Sequence, residues 1–215
     1  YLEQAFGRDA FDAFLKAYFE EFAFGTITTE QFLDFLDAQL LASEGAPLTR
    51  AEVERWTYGP GLPDDVSLPS SANLEAAAAA ALAWSAGDTD LAEIVVDDWS
   101  PQARIHFINS LPADLPLDRI RELDAAWELS KSSNAEIGRT WFIQVAARRF
   151  EDAYDALGAF VNRHGRGRLI VPIYRALVEN GKDVELAQSL FAQARSNYHP
   201  ATVAWIENSL RSAGD

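Results

Sequence analysis

The chain has 215 residues, 48% of them hydrophobic and 24% charged, with a formal net charge of −15 and neither cysteine nor methionine. This composition supplies enough apolar mass for a core. It excludes disulfides, thiolate metal sites and cysteine nucleophiles, and the acidity argues against nucleic-acid and anionic-membrane partners. The alanine-rich run from Ala76 to Ala83 is too short to cross a membrane, and alanine favours helix rather than lipid. No signal-like segment opens the chain, and a start at Tyr1 without any methionine is read as a cut from something longer.

The elements follow one another as helices. Phe11, Phe14, Leu15, Tyr18, Phe19 and Phe22 keep the three-to-four spacing of an amphipathic helix, which Gly25 is expected to end. Thr28 before Gln31, and Thr49 before Glu52, have the spacing of capping boxes and open the next two helices. Between Tyr58 and Ser71 stand Pro60, Gly61, Pro63 and Pro69, which read as an extended linker. Beyond it the pattern predicts helices at 71–86, 88–96, 100–111, 116–130, 134–147, 149–164, 167–181, 183–196 and 199–213, with Gly181 closing one of them and Pro200 at a first helical position. The β-branched patches Ile94 to Val96 and Leu169 to Val171 are too short and isolated to predict strands. The fold class is therefore all-α, with successive helix pairs stacking as antiparallel hairpins into a solenoid-like layer.

Four strings are more specific than any periodicity. Phe14-Leu15-Lys16-Ala17-Tyr18 leads to Ile27-Thr28-Thr29; then comes Trp56-Thr57-Tyr58-Gly59-Pro60-Gly61-Leu62-Pro63. Asn134-Ala135-Glu136-Ile137, with Arg139 and Trp141, precedes Phe150-Glu151-Asp152-Ala153. Gly165-Arg166-Gly167-Arg168 is followed by Pro172 and by His199-Pro200. In this order and spacing the chain resembles the leukotriene A(4) hydrolase branch of the gluzincin aminopeptidases over nearly its whole length. The resemblance implies that residues 1–63 are the closing helices of a thermolysin-like catalytic domain, 64–70 a proline-rich linker and 71–215 a C-terminal helical domain of HEAT or armadillo character. It implies a zinc aminopeptidase as the parent, with the H-E-x-x-H zinc motif and the catalytic tyrosine supplied by domains outside this chain. It also implies short peptide substrates with a free carboxylate and, as the default for this branch, a cytoplasmic setting, with a periplasmic or exported one left open.

The residues here agree with a segment that carries no catalytic or metal-ligating group. The three histidines are His106, His164 and His199, and none are paired at i and i+4 as zinc would require. Adjacent acids such as Asp64-Asp65 and Asp97-Asp98 suit a solvated surface in a chain with 33 acidic residues. Ser130 to Ser133 has no base beside it in sequence, and Gly165-x-Gly167 lacks the strand and spacing of a dinucleotide site. A segment of this kind is expected to be inactive alone and to need no cofactor of its own. The six tryptophans are expected in the core. An apolar surface within residues 1–40 is expected where the rest of a catalytic lobe would pack, which invites self-association.

The candidate substrate-binding residues lie in the basic turn Arg163, His164, Arg166 and Arg168. Arginine forms planar bidentate pairs with carboxylates, and Gly165 and Gly167 are expected to let the backbone turn and free the guanidinium groups. The ordinary reading is a set of cations complementing a helix end. By resemblance, Arg166 matches an arginine that recognises the substrate carboxylate and Arg168 stands in the place of a lysine with the same task, while Gly167 replaces a bulkier residue and is expected to loosen the loop. A non-catalytic helical module for peptide or protein interaction, or for dimerisation, is the alternative reading.

Overall fold

The computed structural model describes residues 1–64, 66, 70–96, 98–179 and 183–212. Expectations placed on Asp65, on Asp97 and on Gly181 as a helix end concern residues outside these. The chain divides into two compact units, Tyr1–Pro69 and Ser70–Asp215. No strand occurs among the described residues, and none of their helices is long and apolar enough to cross a membrane.

In the first unit, α1 (Leu2–Phe6) and α2 (Arg8–Glu21) are separated by Gly7 at φ 80°. Helix α3 (Thr29–Leu36) runs on into a π-helical turn at Asp37–Leu41, and α4 (Arg50–Tyr58) follows. Both capping boxes form. The Thr28 side chain accepts from the Gln31 amide while Gln31 takes the Thr28 N–H at 2.8 Å, and Thr49 and Glu52 repeat the arrangement. Helix α2 ends earlier than Gly25: Phe24, at φ 59°, takes the left-handed position. Among the described residues of this unit the buried apolar ones are Phe14, Leu33, Leu36, Leu40, Leu48 and Val53. Arg50 ties α4 back to the preceding helix through Asp34 and Asp37.

The second unit contains α5 (Ala72–Ala86), α6 (Pro101–Asn109), α7 (Leu117–Trp127), α8 (Ala135–Arg148), α9 (Tyr154–Arg163), α10 (Gly167–Val178), α11 (Val184–Ala194) and α12 (Pro200–Ser212). Each of α6, α8, α10 and α12 packs on the next, α5 packs on α6, and α9 packs on α11. Glu136 at the start of α8 reaches Arg168 at the start of α10, and Gly167 lies against Thr202 at the start of α12. Helices α8, α10 and α12 therefore run in the same direction in one layer. Tyr154 at the start of α9 donates to Asp183, just before α11, at 2.9 Å, so those two run together in the second layer. This is the stacked, solenoid-like helical arrangement that the sequence predicts.

Three predicted helices are shorter or broken. The span 88–96 holds only a 3-10 turn at Leu91–Glu93, because β-branched Ile94, Val95 and Val96 follow its Asp90–Glu93 capping box and extend. The span 116–130 breaks at Glu128, φ 48°, where the Asp124 carboxylate takes both the amide and the hydroxyl of Ser130 at 2.7 Å. The span 149–164 opens with Arg149 at φ 55°, its guanidinium 3.2 Å from Asp183. In each case a side-chain hydrogen bond or a left-handed residue competes with the helix.

Candidate functional site

The basic turn joins α9 to α10. Helix α9 stops at Arg163, and His164 caps it with its amide on the Phe160 carbonyl at 3.0 Å and its ring 4.3 Å from the Phe160 ring. Partial burial, with Arg163 beside it, lowers the His164 pKa from its usual value, so the ring favours its neutral form. Arg166 is the N-cap of α10 and provides no side-chain cap, so the first-turn amides of that helix lack a capping side chain.

The glycines do something other than free the loop. A Cβ at Gly165 would stand 2.7 Å from the Asn197 carbonyl oxygen, and one at Gly167 would stand 2.8 Å from the Trp205 ring and 2.9 Å from Thr202 Oγ1. A side chain at Gly165 would meet backbone, and one at Gly167 would need Trp205 and Thr202 to move, so both glycines let the segment 197–205 approach the turn closely. The expectation of a loosened loop is corrected: Gly167 is buried, and the turn is tightly packed.

A buried pair of tyrosines holds the turn from beneath. Tyr198 Oη donates to the Val161 carbonyl at 2.9 Å. Its one proton is then committed, so Tyr174 Oη, 3.0 Å away, is the donor between the two rings. Burial pushes both hydroxyls up, which keeps each neutral and able to donate. The chain of bonds links α9 and α10 to the segment leading into α12, two residues before Arg163. His199, next in line, accepts the Ala201 amide on Nδ1 at 3.2 Å and thereby caps α12.

The two candidate arginines are both exposed but are not equivalent. Arg168 pairs with Glu136, which also lies 3.7 Å from Arg139. Among the described residues Arg166 makes no ion pair, in a chain of net charge −15. The expectation that both guanidinium groups project freely therefore holds for Arg166 and not for Arg168. Glu136 belongs to one of the strings singled out in the sequence, but no spacing rule places it beside residue 168. Among the described residues no group of three histidine, aspartate or glutamate side chains converges as a metal site. Ser130 Oγ donates to Asp124 and accepts from Trp141 Nε1 at 2.9 Å, so it is a structural bracket.

Trp84 and Trp141 are fully buried, but Trp205 is 50% exposed, which corrects the expectation of six core tryptophans. Helix phase shows why. Thr202 and Ile206 carry the buried face of α12, and Trp205 falls with Ala201, Asn208 and Ser212 along its flank, half open to solvent.

Residues 99–210 match the family model described as "Leukotriene A4 hydrolase, C-terminal". The chain belongs to that family. Its likeness extends beyond the matched segment: it is 26% identical to leucine aminopeptidase 2 of Pyricularia oryzae over all of this chain and 36% of that protein. It is also 26% identical to human aminopeptidase B, over 96% of this chain and 34% of that one. The solved structure of native leukotriene A4 hydrolase from Saccharomyces cerevisiae superposes with a TM-score of 0.79 at 25% identity, covering 98% of this chain and 37% of that chain. The chain thus spans about a third of the length of the relatives it matches, as the leukotriene A4 hydrolase resemblance in its sequence implied.

Proposed function

We propose that the chain is the C-terminal part of a zinc aminopeptidase and that its turn at residues 163–168 anchors the free carboxylate of a short peptide. In this reading residues 1–63 close a thermolysin-like catalytic lobe, 64–70 link it, and 71–215 form the helical domain that walls the cleft. Zinc would be held by the missing domains of the parent, and would supply an activated water there; the residues of this chain bind and orient.

The observation that carries the reading is Arg166, an exposed cation with no ion pair among the described residues, at the N-terminus of a twelve-residue helix without a side-chain cap. A carboxylate placed there meets a planar donor pair and the positive end of α10 together. Arg168 contributes charge from its pair with Glu136 and is the weaker member. The test is hydrolysis of a tripeptide and of its C-terminal amide by the full-length parent. Arg166→Ala is expected to cost roughly 10- to 100-fold in kcat/KM on the acid and little on the amide, the scale of a charged hydrogen bond. Arg168→Ala is expected to cost less. Equal behaviour of wild type and both variants on the two substrates would make these arginines helix-end charges.

A further inference from the structure

A second cation site lies along the same helix. The layer of α8, α10 and α12 borders an open cleft of about 810 Å³ whose wall includes Ile143, Pro172, Arg175, Glu179, Trp205 and Asn208. Residues 168, 172 and 175 fall on one face of α10, with Glu179 as its C-cap beyond them, so the cleft continues the line that starts at Arg168. Trp205 makes the connection physical: its ring lies against Gly167 at one end and forms the cleft wall at the other.

We propose that this cleft is a second carboxylate subsite, centred on Arg175, that takes the C-terminus of peptides about three residues longer than those anchored at the basic turn. The proposal rests on the anchoring role of the turn and extends it to substrate length. Arg175 is exposed and makes no ion pair among the described residues, although the chain carries 33 acidic residues. Glu179, one turn further on in the same cleft, is not bonded to it. Seven residues of helix separate Arg168 from Arg175, about 10.5 Å at 1.5 Å per residue, and an extended peptide covers that in about three residues at 3.3 Å each. Between the two arginines Pro172 has no N–H to give the Arg168 carbonyl, so the α-helical bond at that position cannot form. Trp205, Ile143 and Pro172 offer apolar contact to a side chain of the bound peptide. Glu179 then sets the limit: a carboxylate carried past Arg175 meets a like charge.

The test is titration calorimetry on the full-length protein after chelation, so that peptides bind without being cut. The probes are an alanine-based tripeptide and a hexapeptide with the same N-terminal residue, each as acid and as amide. Arg175→Ala is expected to weaken the hexapeptide acid about tenfold and to leave its amide and the tripeptide unchanged. Arg175→Lys should recover part of the loss, and Trp205→Ala should weaken both hexapeptides alike. Thermal unfolding of each variant confirms that the fold is kept. If Arg175→Ala leaves the hexapeptide's preference for a free acid intact, the subsite is refuted. Arg166→Ala separates the two ideas: a weaker tripeptide acid with an unaffected hexapeptide in Arg175→Ala refutes only the subsite. An unaffected tripeptide in Arg166→Ala with a weakened hexapeptide in Arg175→Ala refutes the anchor and leaves the cleft.

Discussion

The two units of the chain bury very different amounts of apolar surface. Among the described residues the unit Ser70–Asp215 buries 36 apolar side chains in one continuous cluster, whereas Tyr1–Pro69 buries six. The smaller unit relies instead on rings half in water: Phe14, Tyr18, Phe22, Phe32 and Phe35 meet one another at centroid distances of 5.3–6.3 Å, and only Phe14 is buried. Phe19 and Phe24 are exposed outright. A core of six residues is small for independent folding, while the larger unit has the apolar burial of an ordinary domain. The comparison teaches where mutation should be felt: steeply and locally in the larger unit, and through association in the smaller.

The largest effect is expected at Trp141. It is fully buried, lies edge-on to Phe150 with centroids 6.5 Å apart, and donates to Ser130 in the bracket that ends α7. Trp141→Ala is expected to destabilise the larger unit by about 3–5 kcal/mol, seen as a lower urea midpoint for that unit with the other transition unmoved. One common transition shifting as a whole would show that the two units do not unfold separately, and the comparison would fail.

A middle-sized effect distinguishes the two tyrosines beneath the basic turn. Tyr198→Phe takes the donor from the buried Val161 carbonyl and the acceptor from Tyr174, so two groups lose partners. Tyr174→Phe removes only the bond into Tyr198, whose own proton stays on Val161. Tyr198→Phe is expected to cost about 1–3 kcal/mol and Tyr174→Phe about 1 kcal/mol in thermal unfolding. Equal losses would mean that the proton order argued for the pair is wrong.

The helical layer was readable because capping boxes and apolar stripes are local: Thr28 and Gln31, Thr49 and Glu52, and Pro200 all act where their spacing puts them. The candidate site was readable only in part. Arg166 and Arg168 stand out as cations in an acidic chain, but their difference depends on Glu136, 32 residues away from Arg168. The glycines looked like hinges, since sequence cannot show that Asn197 and Trp205 press against them. Trp205 was misplaced because residue type was weighed above helix phase, which sets it about 100° round α12 from Ile206, on the flank of the buried face. Arg149 and Glu128, left-handed without being glycine, gave no warning that their helices would break.

The smallest effect on stability, and the most direct test of the smaller unit, concerns Phe19 and Phe24. Phe19 is 67% exposed on α2, and Phe24 lies wholly in solvent just past its end. Phenylalanine and serine have similar helix propensities at residue 19, and Phe24 lies beyond the helix, so replacing both with serine removes exposed apolar surface and the edge contact of Phe19 with the Tyr18 ring. The double variant is expected to shift stability by less than about 0.5 kcal/mol and to reduce self-association in sedimentation at high concentration. Phe14→Ala, at the buried centre of the same ring cluster, should instead destabilise the unit by about 3–5 kcal/mol. If the serine variant associates as strongly as the parent sequence, the open apolar face of the smaller unit is not what brings copies together. The contrast between the two units would then have to rest on core size alone.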